Sequence, residues 1–272
     1  MLRERVAGWR QAGERVALVP TMGALHAGHV RLVERAAAEA DRIVVSIFVN
    51  PAQFAPNEDF GRYPRTFGTD LAALSDTRTD AVYAPAVGDM YPEGFATRIA
   101  VAGPAEGLES ASRPHFFGGV ATVVAKLFIQ CAPDVAIFGE KDFQQLAVVT
   151  RMARDLDLGV RIVGEPTMRE ADGLALSSRN AYLTPAERRT APELHAAISD
   201  VAAAVRSGGD IGDATRQAAA RLAAAGFVVD YVEVRDAETL GAADPSSRRP
   251  LRVLAAARLG ATRLIDNVAV AP

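Results

Sequence analysis

Short apolar runs and longer stretches with helical spacing follow one another through the first part of the chain. Val16 to Val19 is an apolar run that ends at Pro20. A Gly-containing turn follows, and then R-L-V-E-R-A-A-A-E-A places its apolar residues at helical intervals. R-I-V-V-S-I-F-V-N reads as a second buried strand. Strand, turn, helix and strand open a parallel βαβ unit. The pattern also predicts an amphipathic helix over residues 2–12, a helix over 69–76 and a third strand in D-A-V-Y-A-P. Further on it predicts a strongly apolar helix after R-P-H-F-F-G-G, buried and available as a subunit interface. A strand in P-D-V-A-I-F then ends at Phe138, Gly139 turns, a helix begins near Asp142, and V-R-I-V-G is a fifth strand. Between the second strand and the helix over 69–76, Pro51, Pro56 and Pro64 exclude regular structure. That leaves a long loop at the carboxyl end of a parallel strand, where open α/β sheets bind their substrates. Tyr91 to Ser112 is loose and rich in Gly and Pro.

After the fifth strand the pattern changes. A polar, turn-forming run leads to Thr184, Pro185 and Glu187, which read as N-cap, first position and third position of a helix. Two Ala-rich amphipathic helices fill residues 185–225, and three short strands follow, two of them alternating. Helices before alternating strands predict an α+β domain with an antiparallel sheet. The fold class is therefore α/β, with a Rossmann-like parallel-sheet N-terminal domain over residues 1–167. A smaller α+β domain follows over residues 168–272.

Composition narrows the function. With 272 residues, 49% hydrophobic content and a net charge of −3, the chain is ordinary for a globular protein. It has no bulk attraction to nucleic acid or to an anionic membrane. The charged N-terminus, the absence of a spanning apolar run and the single Cys131 predict a cytoplasmic protein. Of 30 basic residues only Lys126 and Lys141 are lysine. A chain that uses Arg almost everywhere keeps lysine where a compact, flexible ammonium is needed.

The turn after the first strand carries His26 and His29 with Gly28 between them. Two imidazoles at i and i+3 of a helix's first turn share a face. Free N–H groups and the helix dipole are expected to meet an anion there. Lys141 hangs at the edge of a later strand, where an ammonium can bridge phosphate oxygens. Ser177, Ser178 and Arg179 form a second phosphate grip near the domain junction. The amides Asn50 and Gln53 lie after the second strand, one of Gln144 and Gln145 is expected to face the crevice, and Arg113 stands ready for an anionic substrate. No G-x-x-x-x-G-K-[ST] loop, nucleophile elbow or metal-ligand cluster is visible in the sequence. A histidine pair without a carboxylate base suits attack on an α-phosphate with pyrophosphate leaving, a reaction that needs positioning and charge stabilisation. Nucleotidyl transfer to a phosphate acceptor and nucleotide-dependent regulation without turnover are the rival readings. The neutral amides of Gln53 and of one of Gln144 and Gln145 speak against the first, the histidine pair with Lys141 against the second.

P-T-M-G-A-L-H-A-G-H, F-V-N-P-A-Q-F, N-E-D-F-G-R-Y-P-R, F-G-E-K-D-F-Q-Q-L and D-G-L-A-L-S-S-R-N-A-Y-L-T occur in this order. Together they resemble the pantothenate synthetase (pantoate–β-alanine ligase) family, from about residue 16 to R-L-I-D-N near the C-terminus. The resemblance implies ligation of (R)-pantoate and β-alanine through a pantoyl adenylate, with ATP and Mg²⁺. It also implies a homodimer made through the N-terminal domain and a C-terminal domain that closes as a lid. By position, Met22, Gly23, Ala24, Leu25, His26, Ala27, Gly28 and His29 would line the ATP site, with His29 as proton donor. Gly139, Glu140, Lys141, Asp142, Met168, Leu176, Ser177, Ser178 and Arg179 would complete it. His26, His29, Lys141, Ser177, Ser178 and Arg179 would carry the catalysis, and Gln53 and Gln145, with Asn50 beside them, would hold pantoate. The resemblance assigns no Mg²⁺ ligands. One departure is visible: the chain has R-P-H-F-F-G-G-V where the family usually has R-P-G-H-F-x-G-V. His115 thus stands one place early, with Phe116 in its usual slot, and is left out of the site.

Overall fold

A computed structural model describes residues 2–55, 59–244 and 249–270. Pro56, Asn57 and Glu58, which belong to the predicted loop and to N-E-D-F-G-R-Y-P-R, lie outside the described residues. By its internal contacts the chain forms two compact units. Met1–Glu140 and Val148–Pro166 make the first, Lys141–Ala147 and Thr167–Pro272 the second.

The first unit begins with α1 (Leu2–Gln11), β1 (Val16–Thr21), α2 (Ala27–Glu39) and β2 (Arg42–Ile47). It continues with α3 (Phe67–Ser75), β3 (Ala81–Tyr83) and two single-turn helices, α4 (Val87–Met90) and α5 (Glu109–Ser112). α6 (Phe116–Cys131), β4 (Val135–Gly139), α7 (Phe143–Asp155) and β5 (Arg161–Glu165) follow. The first residues of α7, up to Ala147, group with the second unit. The five strands form one parallel sheet in the order β3-β2-β1-β4-β5. Both faces of a parallel sheet are covered, which explains why these strands read as continuous apolar runs. Ala17, Val19, Ile43, Val45, Val135 and Ile137 pack with Val33 and Ala36 of α2 and Leu74 of α3. The buried Glu165 at the end of β5 accepts from Arg31 Nε at 2.9 Å and from Arg35, which ties α2 to the sheet edge.

Several boundaries differ from the sequence reading. β1 runs through Pro20 to Thr21, because β4 pairs with β1 only at Ala17 and Leu18. No ladder bond from β4 is therefore asked of the proline nitrogen. β4 likewise extends to Gly139, and a 3₁₀ turn over Glu140–Asp142 precedes α7. The loop after β2 contains two 3₁₀ turns, Pro51–Gln53 and Asp59–Gly61. Pro51 fits the first of them because its missing N–H would be unpaired there anyway. The all-round apolar character of α6 is used within this unit: eleven of its residues are buried, and only Ile129 is a large exposed apolar side chain.

In the second unit, α8 (Pro185–Thr190), α9 (Glu193–Arg206) and α10 (Ile211–Ala224) precede β6 (Phe227–Asp236), β7 (Leu251–Leu259) and β8 (Thr262–Val270). Thr184 and Glu187 form the expected capping box. The two predicted helices are three, because Pro192 has no N–H to continue the ladder of α8. The strands make an antiparallel sheet, β6-β7-β8, with a bulge between Val229 and Tyr231 that breaks the alternation of β6. Its core joins Leu194, Ile198 and Val201 of α9, Leu222 of α10 and Val253, Ala255, Ala257 and Leu264 of the sheet.

Candidate active site

In the sheet order of the first unit the parallel strands β1 and β4 lie side by side while the connections that leave them run to opposite sides, and ligands bind at the carboxyl ends of such strands. The turn after β1 is fixed from beneath. Thr21 Oγ1 donates to the Ser46 carbonyl at 2.7 Å and accepts from Gly23 N at 3.2 Å. Gly23 and Ala24 both have positive φ, 83° and 51°. Asp70 of α3, 2% exposed, accepts from Ala24 N at 3.1 Å and Leu25 N at 2.9 Å, and from the Thr66 hydroxyl. A cavity of about 260 Å³ lies alongside, lined by Met22, Gly23, Phe48, Phe67 and Asp70 among others.

His26 caps α2. Its Nδ1 accepts from Gly28 N at 3.1 Å, while its own N–H donates to His29 Nδ1 at 3.2 Å. The ring centroids are 4.1 Å apart. Because both Nδ1 atoms accept from the backbone, each neutral ring carries its proton on Nε2. The sequence reading expects free backbone N–H groups at this turn. Instead the N–H groups of Gly23, Ala24, Leu25, His26, Gly28, His29 and Val30 all have partners within the chain.

Behind β2, the side chain of the 1% exposed Asn50 has four internal hydrogen bonds. Its Nδ2 donates to Gln53 Oε1 at 2.9 Å and to the Gly119 carbonyl at 3.1 Å. Its Oδ1 accepts from Ala52 N and from the Tyr91 hydroxyl at 2.7 Å. Burial pushes the Tyr91 hydroxyl up to about 12, partly offset by this hydrogen bond, so it remains a donor. Asn50 thereby turns the Gln53 amide so that Nε2 is the group Gln53 can offer. Arg113 does not wait for an anion: it donates to the Gln53 carbonyl at 3.0 Å and lies 3.9 Å over the Phe116 ring. His115 Nε2 is buried and has no hydrogen-bond partner among the described residues.

Gly139, which ends β4, and Glu140, which opens the 3₁₀ turn, belong to the first unit, with Met22–His29, Asn50 and Gln53. Lys141, Asp142, Gln145, Met168 and Leu176–Arg179 belong to the second. Lys141 Nζ lies 3.7 Å from Asp142 Oδ2, and the Lys141 carbonyl accepts from Asn267 Nδ2 at 2.9 Å. Of the two glutamines that follow, Gln144 is buried and Gln145 half-buried. Met168 and Leu176 face each other across a small hairpin, Leu176 N donating to the Met168 carbonyl at 2.9 Å and Arg169 bridging to Ala175. Ser177 then caps the 3₁₀ turn Ser178–Tyr182, its Oγ accepting from Arg179 N. Asp70, Tyr91, Gly119 and Asn267 are structural members of these two groups that the sequence reading did not name. An aspartate four places before Leu74, on the buried face of a helix, was the one available signal.

Among the described residues, no group of three or more His, Cys, Asp and Glu side chains could hold a metal ion. No helix among them is long and apolar enough to cross a membrane.

A family model described as pantoate-beta-alanine ligase matches residues 1–269. A pantothenate synthetase of Bradyrhizobium sp. strain BTAi1 is 61% identical over 270 residues, which cover 99% of this chain and 95% of the relative. One from Paramagnetospirillum magneticum is 59% identical over 272 residues, 100% of this chain and 95% of its own. Among solved structures, pantothenate synthetase from Thermus thermophilus superposes with a TM-score of 0.91 at 49% identity, covering 98% of both chains. The pantoate-beta-alanine ligase of Francisella tularensis, complexed with beta-gamma ATP and beta-alanine, gives a TM-score of 0.80 at 31% identity, covering 98% of this chain and 95% of the other.

Proposed function

Because the chain belongs to the pantoate–β-alanine ligase family, we propose that it makes pantothenate in two steps through a pantoyl adenylate, using ATP. In the first step a carboxylate oxygen of (R)-pantoate attacks the α-phosphorus of ATP. The bond to the β-phosphate breaks, and pyrophosphate leaves. In the second step the neutral amine of β-alanine attacks the acyl carbon, the amine loses a proton, and AMP departs. The order follows from chemistry: a carboxylate condenses with an amine in water only after its oxygen has been made a leaving group.

The observation that carries this reading is the His26–His29 pair, whose Nδ1 atoms are both held by backbone N–H groups. Two Nε2–H donors at one helix start suit a phosphate chain whose negative charge grows as the pyrophosphate departs. In this reading Met22–His29 and Gly139–Asp142 take the nucleotide, Lys141 sits on the phosphates, and Met168 with Leu176–Arg179 completes the ATP site. His29 is the proton donor. Gln53 and Gln145 hold pantoate by their amides, and Asn50 supports Gln53. That the Francisella relative was crystallised with an ATP compound and β-alanine supports both as ligands here.

Mg²⁺ enters this reading with ATP. A magnesium ion commonly takes its ligands from substrate phosphates and water plus one or two carboxylates, so a multi-residue protein cage is not required. When bound it offsets phosphate charge; no protein ligand is assigned, and no step above depends on one. The same reading takes the enzyme as a cytoplasmic homodimer built on the N-terminal domain.

The test is a product assay on the purified chain. ATP and pantoate alone should release pyrophosphate in a burst of about one per site, and AMP should appear in quantity only when β-alanine is added. AMP formation indifferent to β-alanine would remove the ligase reading.

A further inference from the structure

R-L-I-D-N, the stretch near the C-terminus at which the resemblance ends, has no role in the proposed reaction. It lies on β8, and its last two residues, Asp266 and Asn267, are 4% and 3% exposed. Two carboxylate oxygens and an amide buried in a small sheet must be satisfied locally, or they destabilise it. Their partners are informative. Asp266 takes both terminal nitrogens of Arg169, at 2.6 and 2.9 Å. Arg169 stands next to Met168 in the hairpin that leads into Ser177–Arg179. Asn267 looks the other way: its Nδ2 donates to the Lys141 carbonyl at 2.9 Å.

The orientation of that amide is determined by its neighbour. Arg252 on β7 donates from Nε to Asn267 Oδ1 at 2.6 Å, and a guanidinium can only donate. The oxygen must therefore face Arg252, which leaves the NH₂ group to face Lys141. Arg252 is itself held in place, its guanidinium stacked 3.9 Å over the ring of Phe143, two residues beyond Lys141. Lys141 is thus tied to β8 by a part-buried hydrogen bond, and Phe143, just beyond the 3₁₀ turn, is tied to β7 by the stacked guanidinium.

We propose that Asn267 is a positioning residue for adenylation: its Nδ2–H bond to the Lys141 carbonyl sets the direction in which the lysine ammonium leaves the main chain. The proposal rests on the reading of Lys141 as the group that holds the phosphates. A flexible four-carbon stem bears a charge usefully only if its root is fixed, and a displacement of about 1 Å can cost about 100-fold in rate. Arg252 in turn holds the amide in the orientation that serves Lys141.

A double-substitution cycle, read by single-turnover pyrophosphate release at saturating ATP and pantoate, tests this. Lys141→Ala should slow the step by about 100- to 1000-fold. Asn267→Ala should slow it by about 10- to 100-fold in the wild-type background and have almost no further effect in the Lys141→Ala background. Asn267→Asp fills the same volume and keeps an oxygen for Arg252 but sets an acceptor against the Lys141 carbonyl. It should behave as Asn267→Ala does, and it carries the cycle if the alanine variant lacks a cooperative thermal transition. A loss that simply multiplies with that of Lys141→Ala would show a general structural role and overturn the proposal, leaving the reading of the lysine intact. A Lys141→Ala enzyme as fast as wild type would instead remove that reading, and the proposal with it.

Discussion

At the scale of single residues, the turn after β1 is held by an aspartate that never reaches a ligand in the proposed chemistry. Asp70 uses its carboxylate on the N–H groups of Ala24 and Leu25, so the turn is rigid before any phosphate arrives. Gly23 is the residue that permits this approach: a Cβ there would lie 2.9 Å from Asp70 Oδ2 and 3.2 Å from Ile47 Cγ2, at a φ of +83°. Gly23→Ala should therefore lower stability by about 1–3 kcal/mol, from the left-handed backbone and the crowding together. It should also weaken ATP binding by pushing Asp70 away from the two N–H groups it holds. Thermal unfolding and calorimetric titration with a non-hydrolysable ATP analogue would measure the two effects. An unchanged affinity would mean that the turn's shape does not matter to the nucleotide. The histidines were legible in the sequence because three-residue spacing at a helix start is a local pattern. Asp70 was not, since the two turn N–H groups it holds lie more than forty positions away and only the fold brings them together.

At the scale of elements, the apolar runs identified all five parallel strands and all three antiparallel ones, because burial on both faces or on one leaves a direct imprint on the sequence. What it left open were junctions decided by neighbours. Pro20 stays inside β1 only because β4 stops pairing before it, which no local signal reveals. Pro192, by contrast, marks a helix break that its missing N–H could have announced. The packing of α6 belongs to the first kind. Gly119 lets that helix lie directly against the 3₁₀ turn Pro51–Gln53: a Cβ there would come 2.3 Å from the Ala52 carbonyl oxygen and 3.0 Å from Gln53 N. Its own carbonyl accepts from Asn50. Gly119→Ala must therefore push the turn outward and disturb the Asn50–Gln53 hydrogen bond. The expected result is at least a tenfold rise in the pantoate KM with a much smaller change for ATP, together with a lower thermal midpoint. A change confined to the ATP KM would contradict the assignment of Gln53 to pantoate.

At the scale of the whole molecule there are two cores, one around a parallel sheet and one around an antiparallel sheet, and they need not respond alike to pH. On α9, beside the second, stands the half-buried His195, whose pKa is lowered from 6.5 first by burial and then by the Arg169 guanidinium, with Asp266 opposing. Ser199 lies 3.4 Å from its Nε2, and the turn at Gly173 closes over Nδ1, so the ring is packed as a neutral group. In the unfolded chain the same imidazole takes up its proton near pH 6.5. The folded state resists until a lower pH, so between the two values the unfolded state binds more protons and stability falls as the solution is acidified. The contribution is complete above about pH 6.5 and declines below it until the folded pKa is reached. Carboxylates with ordinary values start to matter only below about pH 5. The window from pH 7.5 to 5.5 is therefore set by histidines, and His195→Asn separates this one from the other three. The wild-type thermal midpoint should drop across that window by more than that of the variant, and equal drops would show that His195 is not the group responsible. The ring also feels the charges of the Arg169–Asp266 pair, which holds the Met168–Leu176 hairpin. Its protonation places a cation beside Arg169, and so mild acid should loosen this part of the second unit before it affects the parallel sheet.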